Sequence, residues 1–114
     1  YLRAKVRRSW DVRLERRLPG KLLPEDLMRK VVVEVPEYHP VRGLRLLWDE
    51  GFDIEVRADV SEVVIKANRE GLVSLARHLL TLAQEEVRTG AHLHLTGGQE
   101  IESDLELVLE RMGD

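Results

Sequence analysis

Two histidines in the C-terminal third of the chain have a spacing that is compatible with metal binding. His92 and His94 are separated by one residue in the stretch 91–96, where two leucines alternate with them. Because successive side chains of a strand point to opposite faces, both imidazoles would project from the same face. The pair could hold a metal ion if another histidine or Glu106 supplied a third ligand. The alternative is a polar strand face with hydrogen-bonded histidines, since the sequence has no HExxH motif and no cysteine.

Acidic side chains are concentrated in two stretches, a predicted hairpin at residues 44–57 and the C-terminal residues 100–110. Together they predict a negatively charged surface, which would accelerate encounter with a basic partner and add specificity. The residues that we expect to contact such a partner are Asp49, Glu50, Asp53, Glu55, Glu106 and Glu110. The alternative is that these charges only keep the protein in solution.

The N-terminal residues have the opposite charge. Residues 1–30 carry ten basic against four acidic residues, a net charge of +6, whereas residues 31–114 carry eight against 17, a net charge of −9. Apolar and basic residues alternate over residues 2–18, which predicts a β arm with one basic face. That face is an alternative site for an anionic partner or nucleic acid, although only Trp10 could stack on a base. Its residues are Arg3, Lys5, Arg7, Arg13 and Arg17.

No pattern in the chain predicts an enzyme. None of the serines lies in a glycine elbow, and Gly97-Gly98 lacks the lysine and the helix of a P-loop. No cofactor is expected. The longest apolar runs are far shorter than the ~18 residues of a membrane span, and the first residues lack the apolar region of a signal peptide. A cytoplasmic protein is therefore the expectation.

One helix is predicted from Leu72 to Val87, between two strands at 62–67 and 91–96. Asn68 has the position of an N-cap, and Thr89-Gly90 is a stop signal. Half of the helix circumference is apolar and is expected to lie on a sheet: Leu72, Val73, Leu75, Ala76, Leu79, Leu80, Leu82, Ala83 and Val87. The width of the apolar half suits a helix whose flanks are also covered. The other half is polar: Ser74, Arg77, His78, Thr81, Gln84, Glu85 and Arg88.

Four further strands complete the prediction. A short buried strand is expected at 31–35, a hairpin at 44–48 and 52–57, and a last strand, or alternatively a helix, at 104–112. The resulting fold class is α+β, a mainly antiparallel sheet with one long helix packed on one face, in the order β-β-β-β-α-β-β. The strand–helix–strand unit could cross over within that sheet. A single domain is expected, with residues 1–30 as a basic N-terminal arm and 31–114 as the core.

The central stretch resembles the family of small bacterial proteins called immunity protein 32. The resemblance covers roughly residues 38–112 and rests on GFDIEV at 51–56, EVVIKANREGLVSLARHLLTLAQ at 62–84, GAHLHL at 90–95 and the following SDLELVLER. Within it, Asn68-x-Glu70-Gly71-Leu72 and His92-x-His94-Leu95 carry the pattern. Thr96-Gly97-Gly98 departs from the acid that usually follows in the family.

The resemblance implies a non-enzymatic protein that binds and neutralises a cognate toxin domain of a polymorphic toxin system. The remaining hypotheses are the basic-arm binding module and a dimeric α+β protein. A homodimer would form through the arm or through the sheet face opposite the helix, where Trp48, Val64 and Val108 are expected.

Overall fold

The computed structural model describes residues 27–113, and the contacts below belong to the compact unit that begins at Val32. Most of the predicted basic arm therefore lies outside the described residues. The elements are β1 (Ile54–Ala58), β2 (Val63–Ala67), α1 (Arg69–Leu82), β3 (His92–Leu95) and β4 (Leu107–Glu110). One helix with antiparallel strands confirms an α+β fold. No helix within residues 27–113 is long and apolar enough to cross a membrane.

The strands form two small antiparallel sheets, so the prediction of one larger sheet was wrong. β1 pairs with β2, with Val56 opposite Ile65, and β3 pairs with β4, with His94 opposite Val108. In each sheet the two strands follow one another in the sequence. The strands on either side of α1, β2 and β3, belong to different sheets. A single parallel bridge between Glu55 and Glu102 connects the turn after β3 to the edge of β1.

Two predicted strands are absent from the described residues. Residues 31–35 are not a strand, and Val32 is 89% exposed. Residues 44–48 are also irregular, and Trp48, which was expected on the outer sheet face, packs against the hydrophobic core together with Leu46. Both stretches are rich in apolar residues, but the carbonyls of Glu34 and Leu47 accept hydrogen bonds from the guanidinium of Arg77 instead of from a neighbouring strand.

The hydrophobic core lies between α1 and the inner faces of the two sheets. One cluster contains Ile54, Val56, Leu95 and Ile101. The other contains Leu82, Val87 and Leu93. The alternation predicted for β3 is confirmed, because its two leucines are buried while its two histidines are exposed.

Asn68 caps the N-terminus of α1, as predicted. Its Oδ1 accepts hydrogen bonds from the amides of Gly71 at 2.8 Å and Asp53 at 3.0 Å, and its Nδ2 donates to the carbonyl of Gly51 at 2.9 Å. One side chain thus satisfies a helix amide and fixes the chain that enters β1. Glu70 lies in the first turn, where a negative charge favours the helix dipole.

The C-terminus of α1 differs from the prediction, because the helix ends at Leu82 and not at Val87. The guanidinium of Arg111 donates to the carbonyls of Leu82 at 2.7 Å and Gln84 at 2.9 Å, and so satisfies groups that further helical turns would have used. The chain then turns and buries Val87 beside Leu82. Gly90 has a φ of 91°, but it serves the turn before β3 and does not end the helix.

The polar half of α1 is largely buried, which the polarity of its residues does not indicate. Ser74, His78 and Thr81 are at most 1% exposed. The irregular residues 34–49 lie along this side and need hydrogen-bond partners for their backbone. Helix side chains provide them: Ser74 Oγ accepts from the Asp49 amide, Arg77 Nε donates to the Glu34 carbonyl, and Gln84 bonds to the Pro36 carbonyl and the Tyr38 amide.

Candidate protein-interaction surface

Four carboxylates line a shallow groove at the outer edge of β1, which we call the acidic groove: Asp53, Glu55, Glu102 and Asp104. The groove consists of two adjoining depressions of about 420 and 410 Å³ that share Glu55 and Glu102. Only two basic side chains, Arg57 and Lys66, line it. The acidic groove therefore carries an excess of negative charge on an open surface.

Backbone pairing holds the two sides of the acidic groove together. The amide of Val56 donates to the carbonyl of Glu102 at 3.0 Å, and the amide of Glu102 donates to the carbonyl of Ile54 at 2.8 Å. Because Ile54 and Val56 are buried, alternation along β1 turns Glu55 outward. The carboxylate of Glu55 lies 3.8 Å from the Lys66 ammonium, an exposed pair that is worth little and leaves both groups available.

The predicted contact residues are thus divided by the structure. Asp53 and Glu55 belong to the acidic groove, and Glu50 is exposed in the preceding turn. Asp49 is partly buried and already paired, because its carboxylate lies 2.6 Å from the guanidinium of Arg77. That ion pair links the chain before β1 to α1, which is a structural role that the sequence pattern did not indicate.

Glu106 and Glu110 lie with the two histidines on the outer face of the β3–β4 sheet. The Nδ1 atom of His94 contacts the carboxylate of Glu106, and Glu110 stands opposite His92 in the register. The rings of His92 and His94 are 4.9 Å apart between centroids, and the Nδ1 atom of His92 bonds to the Gly90 carbonyl at 2.9 Å. The two histidines therefore share a face, as their spacing predicted.

Glu106, one of the third ligands considered in the metal hypothesis, does lie on this face beside His94. Within residues 27–113 no group of three or more histidine, aspartate or glutamate side chains has the geometry of a metal site. His39 instead accepts a hydrogen bond from the amide of Val41, and His78 is enclosed between α1 and Trp48. The geometry of the described residues favours a hydrogen-bonded polar face at His92 and His94.

His78 is the one buried titratable side chain among the described residues whose ring nitrogens find no partner. It is 0% exposed, and its ring meets the Trp48 ring edge-on with 4.4 Å between centroids. Burial lowers the pKa of His78, and the positive charge of neighbouring Arg77 lowers it further. The neutral imidazole therefore acts as a packing group in the core.

Two residues of the acidic groove were not in the predicted contact set. Glu102 and Asp104 belong to an acidic stretch of the sequence, but only the bridge to β1 places them beside Asp53 and Glu55. A parallel bridge across 47 residues has no signature in local periodicity. The basic side chains of the alternative anion site, Arg3, Lys5, Arg7, Arg13 and Arg17, lie outside the described residues.

The comparison with protein families gives one match. A family model described as Immunity protein 32 matches residues 62–112. This confirms the resemblance over that segment, while the similarity noted at residues 38–61 lies outside the match. No curated protein and no solved structure matches the chain.

The segment that the family model matches contains β2, α1, β3 and β4. It includes one wall of the acidic groove, with Glu102 and Asp104, and the outer face of the β3–β4 sheet, with Glu106 and Glu110. It leaves out β1, with Asp53 and Glu55. Thr96-Gly97-Gly98, the departure from the family pattern, forms the turn in which the Thr96 amide donates to the Glu100 carboxylate.

Proposed function

We propose that this protein is an immunity protein that binds and neutralises a cognate toxin domain without catalysing a reaction. The match of residues 62–112 to Immunity protein 32 is the observation that carries the proposal. The structure offers open, charged surfaces in its described part, which suit recognition of another protein. Setting the protein in the cytoplasm is part of the same proposal, because a toxin would have to be met where it acts.

The acidic groove is the proposed contact surface. Of its carboxylates Asp53, Glu55, Glu102 and Asp104, the central pair Glu55 and Glu102 is held on a paired backbone, so binding there requires little ordering of the chain. A toxin that cuts nucleic acid or binds another polyanion needs a basic surface, and an acidic protein would cover that surface by charge complementarity. Neutralisation would then result from occlusion of the toxin's own substrate site.

The test uses the full chain and the toxin domain encoded beside its gene. Co-expression should restore growth of cells that produce the toxin, and the purified pair should form a stable complex. The charge-reversed double variant Glu55→Lys/Glu102→Lys should weaken the complex by about tenfold or more, because several complementary contacts become repulsive. The matched control is Glu37→Lys, which makes the same charge change at an exposed residue outside the acidic groove.

The outcomes separate the function from the surface. If the chain neither protects cells nor binds any toxin domain encoded beside its gene, the immunity function is wrong. If it protects cells and the double variant binds as tightly as the Glu37→Lys control, the function holds and the acidic groove is the wrong surface.

A further inference from the structure

The outward side of α1 is apolar along its whole length, which is unusual for a helix on a protein surface. Leu72, Leu79 and Leu80 are 53%, 52% and 48% exposed. Val73 and Ala76 are half-buried, and Ala83 at the C-cap is exposed. We call this surface the leucine stripe: Leu72, Val73, Ala76, Leu79, Leu80 and Ala83. A contiguous apolar surface of this kind marks an interaction site.

The leucine stripe faces outward because the polar side chains of the helix face the irregular residues 34–49. Residues 34–49 require Ser74, Arg77 and Gln84 as hydrogen-bond partners, so these side chains point inward. The opposite side of the helix is then left with leucine and alanine. Ala67 of β2 lies against Gly71 of α1. Ile65 is on the same strand face as Ala67 and is 43% exposed, so it extends the apolar surface of the helix onto β2. A groove of about 510 Å³ on the other flank is lined by Leu79, Ala83 and Met112.

The spacing along the leucine stripe fits a second helix. Leu72, Ala76, Leu79 and Ala83 follow one another at intervals of four, three and four residues, which is the repeat of helix pairs that pack side by side. Leucine and alanine alternate in this repeat. Small alanines allow the two helix axes to approach closely, and the leucines of one helix can fill the space beside the alanines of the other.

The charges at the two ends of α1 indicate which helix fits. Arg69 precedes the leucine stripe, and Glu85 and Glu86 follow it. Among the described residues, neither Arg69 nor Glu86 forms an ion pair. In an antiparallel pair that places Leu72 beside Ala83 of the other copy, Arg69 lies toward the C-terminal end of that copy's helix, where Glu85 and Glu86 follow in an exposed turn; the same contact occurs twice by symmetry. A parallel pair would place Arg69 beside Arg69.

We infer that the leucine stripe is a homodimer interface, in which α1 packs antiparallel against α1 of a second copy of this chain. This inference is independent of the proposed toxin-binding function and uses a different surface from the acidic groove. It also differs from the expected homodimer through the outer sheet face, because Trp48 is stacked on Phe52 inside the molecule, with ring centroids 4.3 Å apart. An isologous contact of this kind closes at two chains.

The first test measures the mass of the full-length protein by sedimentation equilibrium over a concentration series. The wild type should reach twice the chain mass of 13.2 kDa. Leu79→Lys should weaken the dimer by at least about a hundredfold, because two buried leucines are lost per dimer and two charges are desolvated. Val60→Lys is the matched control, since Val60 is fully exposed in the turn between β1 and β2, and it should leave the dimer unchanged.

The second test checks the antiparallel direction by charge exchange. Arg69→Glu and Glu86→Arg should each weaken the homodimer by roughly threefold to thirtyfold, because two ion pairs per dimer become repulsive. Mixing the two variants should restore association, because one chain of the heterodimer is then acidic at both positions and the other is basic at both. The sequence has no cysteine, so Leu72→Cys mixed with Ala83→Cys should form a mixed disulfide.

Three results would overturn the inference. One is a wild type that stays monomeric up to roughly 1 mM. A second is a dimer that Leu79→Lys does not affect. The third is a monomer in which Leu79→Lys lowers the unfolding temperature as much as a core substitution does. That result would mean that residues 1–26 of the same chain, and not a second copy, cover the leucine stripe. Cross-linking of Leu72→Cys to itself in place of Ala83→Cys would overturn the antiparallel direction.

Discussion

His78 shows how one side chain can set the pH dependence of the fold. Burial and the charge of Arg77 lower the pKa of His78 from its ordinary value of 6.5. The unfolded chain therefore binds more protons than the folded chain as the pH falls below 6.5, and each proton taken up favours unfolding. Above pH 6.5 the titration of His78 does not lower the free energy of unfolding, and below pH 6.5 that free energy falls as the pH falls. We expect urea unfolding at pH 5.5 to give up to about 1.4 kcal/mol less stability than at pH 7.5 from this group.

The control for this prediction is His78→Leu. Leucine removes the two unpartnered ring nitrogens from the core and leaves a small cavity beside Trp48. At pH 7.5 we expect the first effect to exceed the second, so that the free energy of unfolding rises by about 1 kcal/mol. The variant should also lose the part of the pH dependence that comes from this residue. Equal slopes of stability against pH in both proteins would show that other groups titrate.

Gly71 marks the closest approach of α1 to β1. A Cβ atom at this position would lie 2.7 Å from the Asp53 carbonyl oxygen and 2.9 Å from Cγ1 of Ile54. Because the first of these is backbone, the helix would have to shift. Gly71→Ala should therefore cost about 1–3 kcal/mol in urea unfolding, despite the better helix propensity of alanine. Gly113→Ala is the control, since its Cβ would meet only the side chain of Thr89 at 3.3 Å and should change stability by less than about 0.5 kcal/mol.

At the scale of elements, Asn68 joins three segments and its loss should be felt by all of them. Asn68→Ala removes the cap of α1 and the bonds to the Asp53 amide and the Gly51 carbonyl. We expect a loss of about 2 kcal/mol in urea unfolding. Asn68→Asp keeps the oxygen that accepts from the two amides and loses only the donor to Gly51, so it should fall between the wild type and the alanine variant. If both variants were equally unstable, the donor to Gly51 would carry the effect and not the cap.

Elements with local signals could be predicted from the sequence. The β-branched run of β2, the alternation of β3 and the cap residue of α1 each depend on neighbours in the chain, and all three were placed within one or two residues. The end of α1 and the faces of the helix were not. They depend on Arg111 and on residues 34–49, which reach the helix from distant parts of the sequence. The burial of Ser74 and Thr81 could not be predicted, because periodicity does not reveal which backbone groups need hydrogen-bond partners.

In the candidate site, too, features with a local sequence signal could be predicted and features that depend on distant contacts could not. The acidic stretches were visible in the sequence, and the alternation of residues 52–57 indicated that Asp53 and Glu55 share one face. The acidic groove as a unit depends on the Glu55–Glu102 bridge, which no spacing indicates. The ion pair of Asp49 with Arg77 could not be predicted, because an acidic residue beside a hairpin has the same sequence signature whether it contacts a partner or pairs with a helix arginine.

At the scale of the whole molecule, charge separates the two hypotheses about the partner. If the acidic groove steers a basic toxin domain, the association rate should fall about tenfold or more between low salt and 0.5 M salt, and Glu55→Lys/Glu102→Lys should reduce both the rate and its salt dependence. Stopped-flow fluorescence of the two Trp residues provides the measurement. The double variant Arg13→Glu/Arg17→Glu distinguishes a basic from an anionic partner by the direction in which the association rate changes. It makes the chain more acidic, so it should maintain or raise the rate for a basic partner, whereas it should lower the rate if the N-terminal basic residues bind an anionic one.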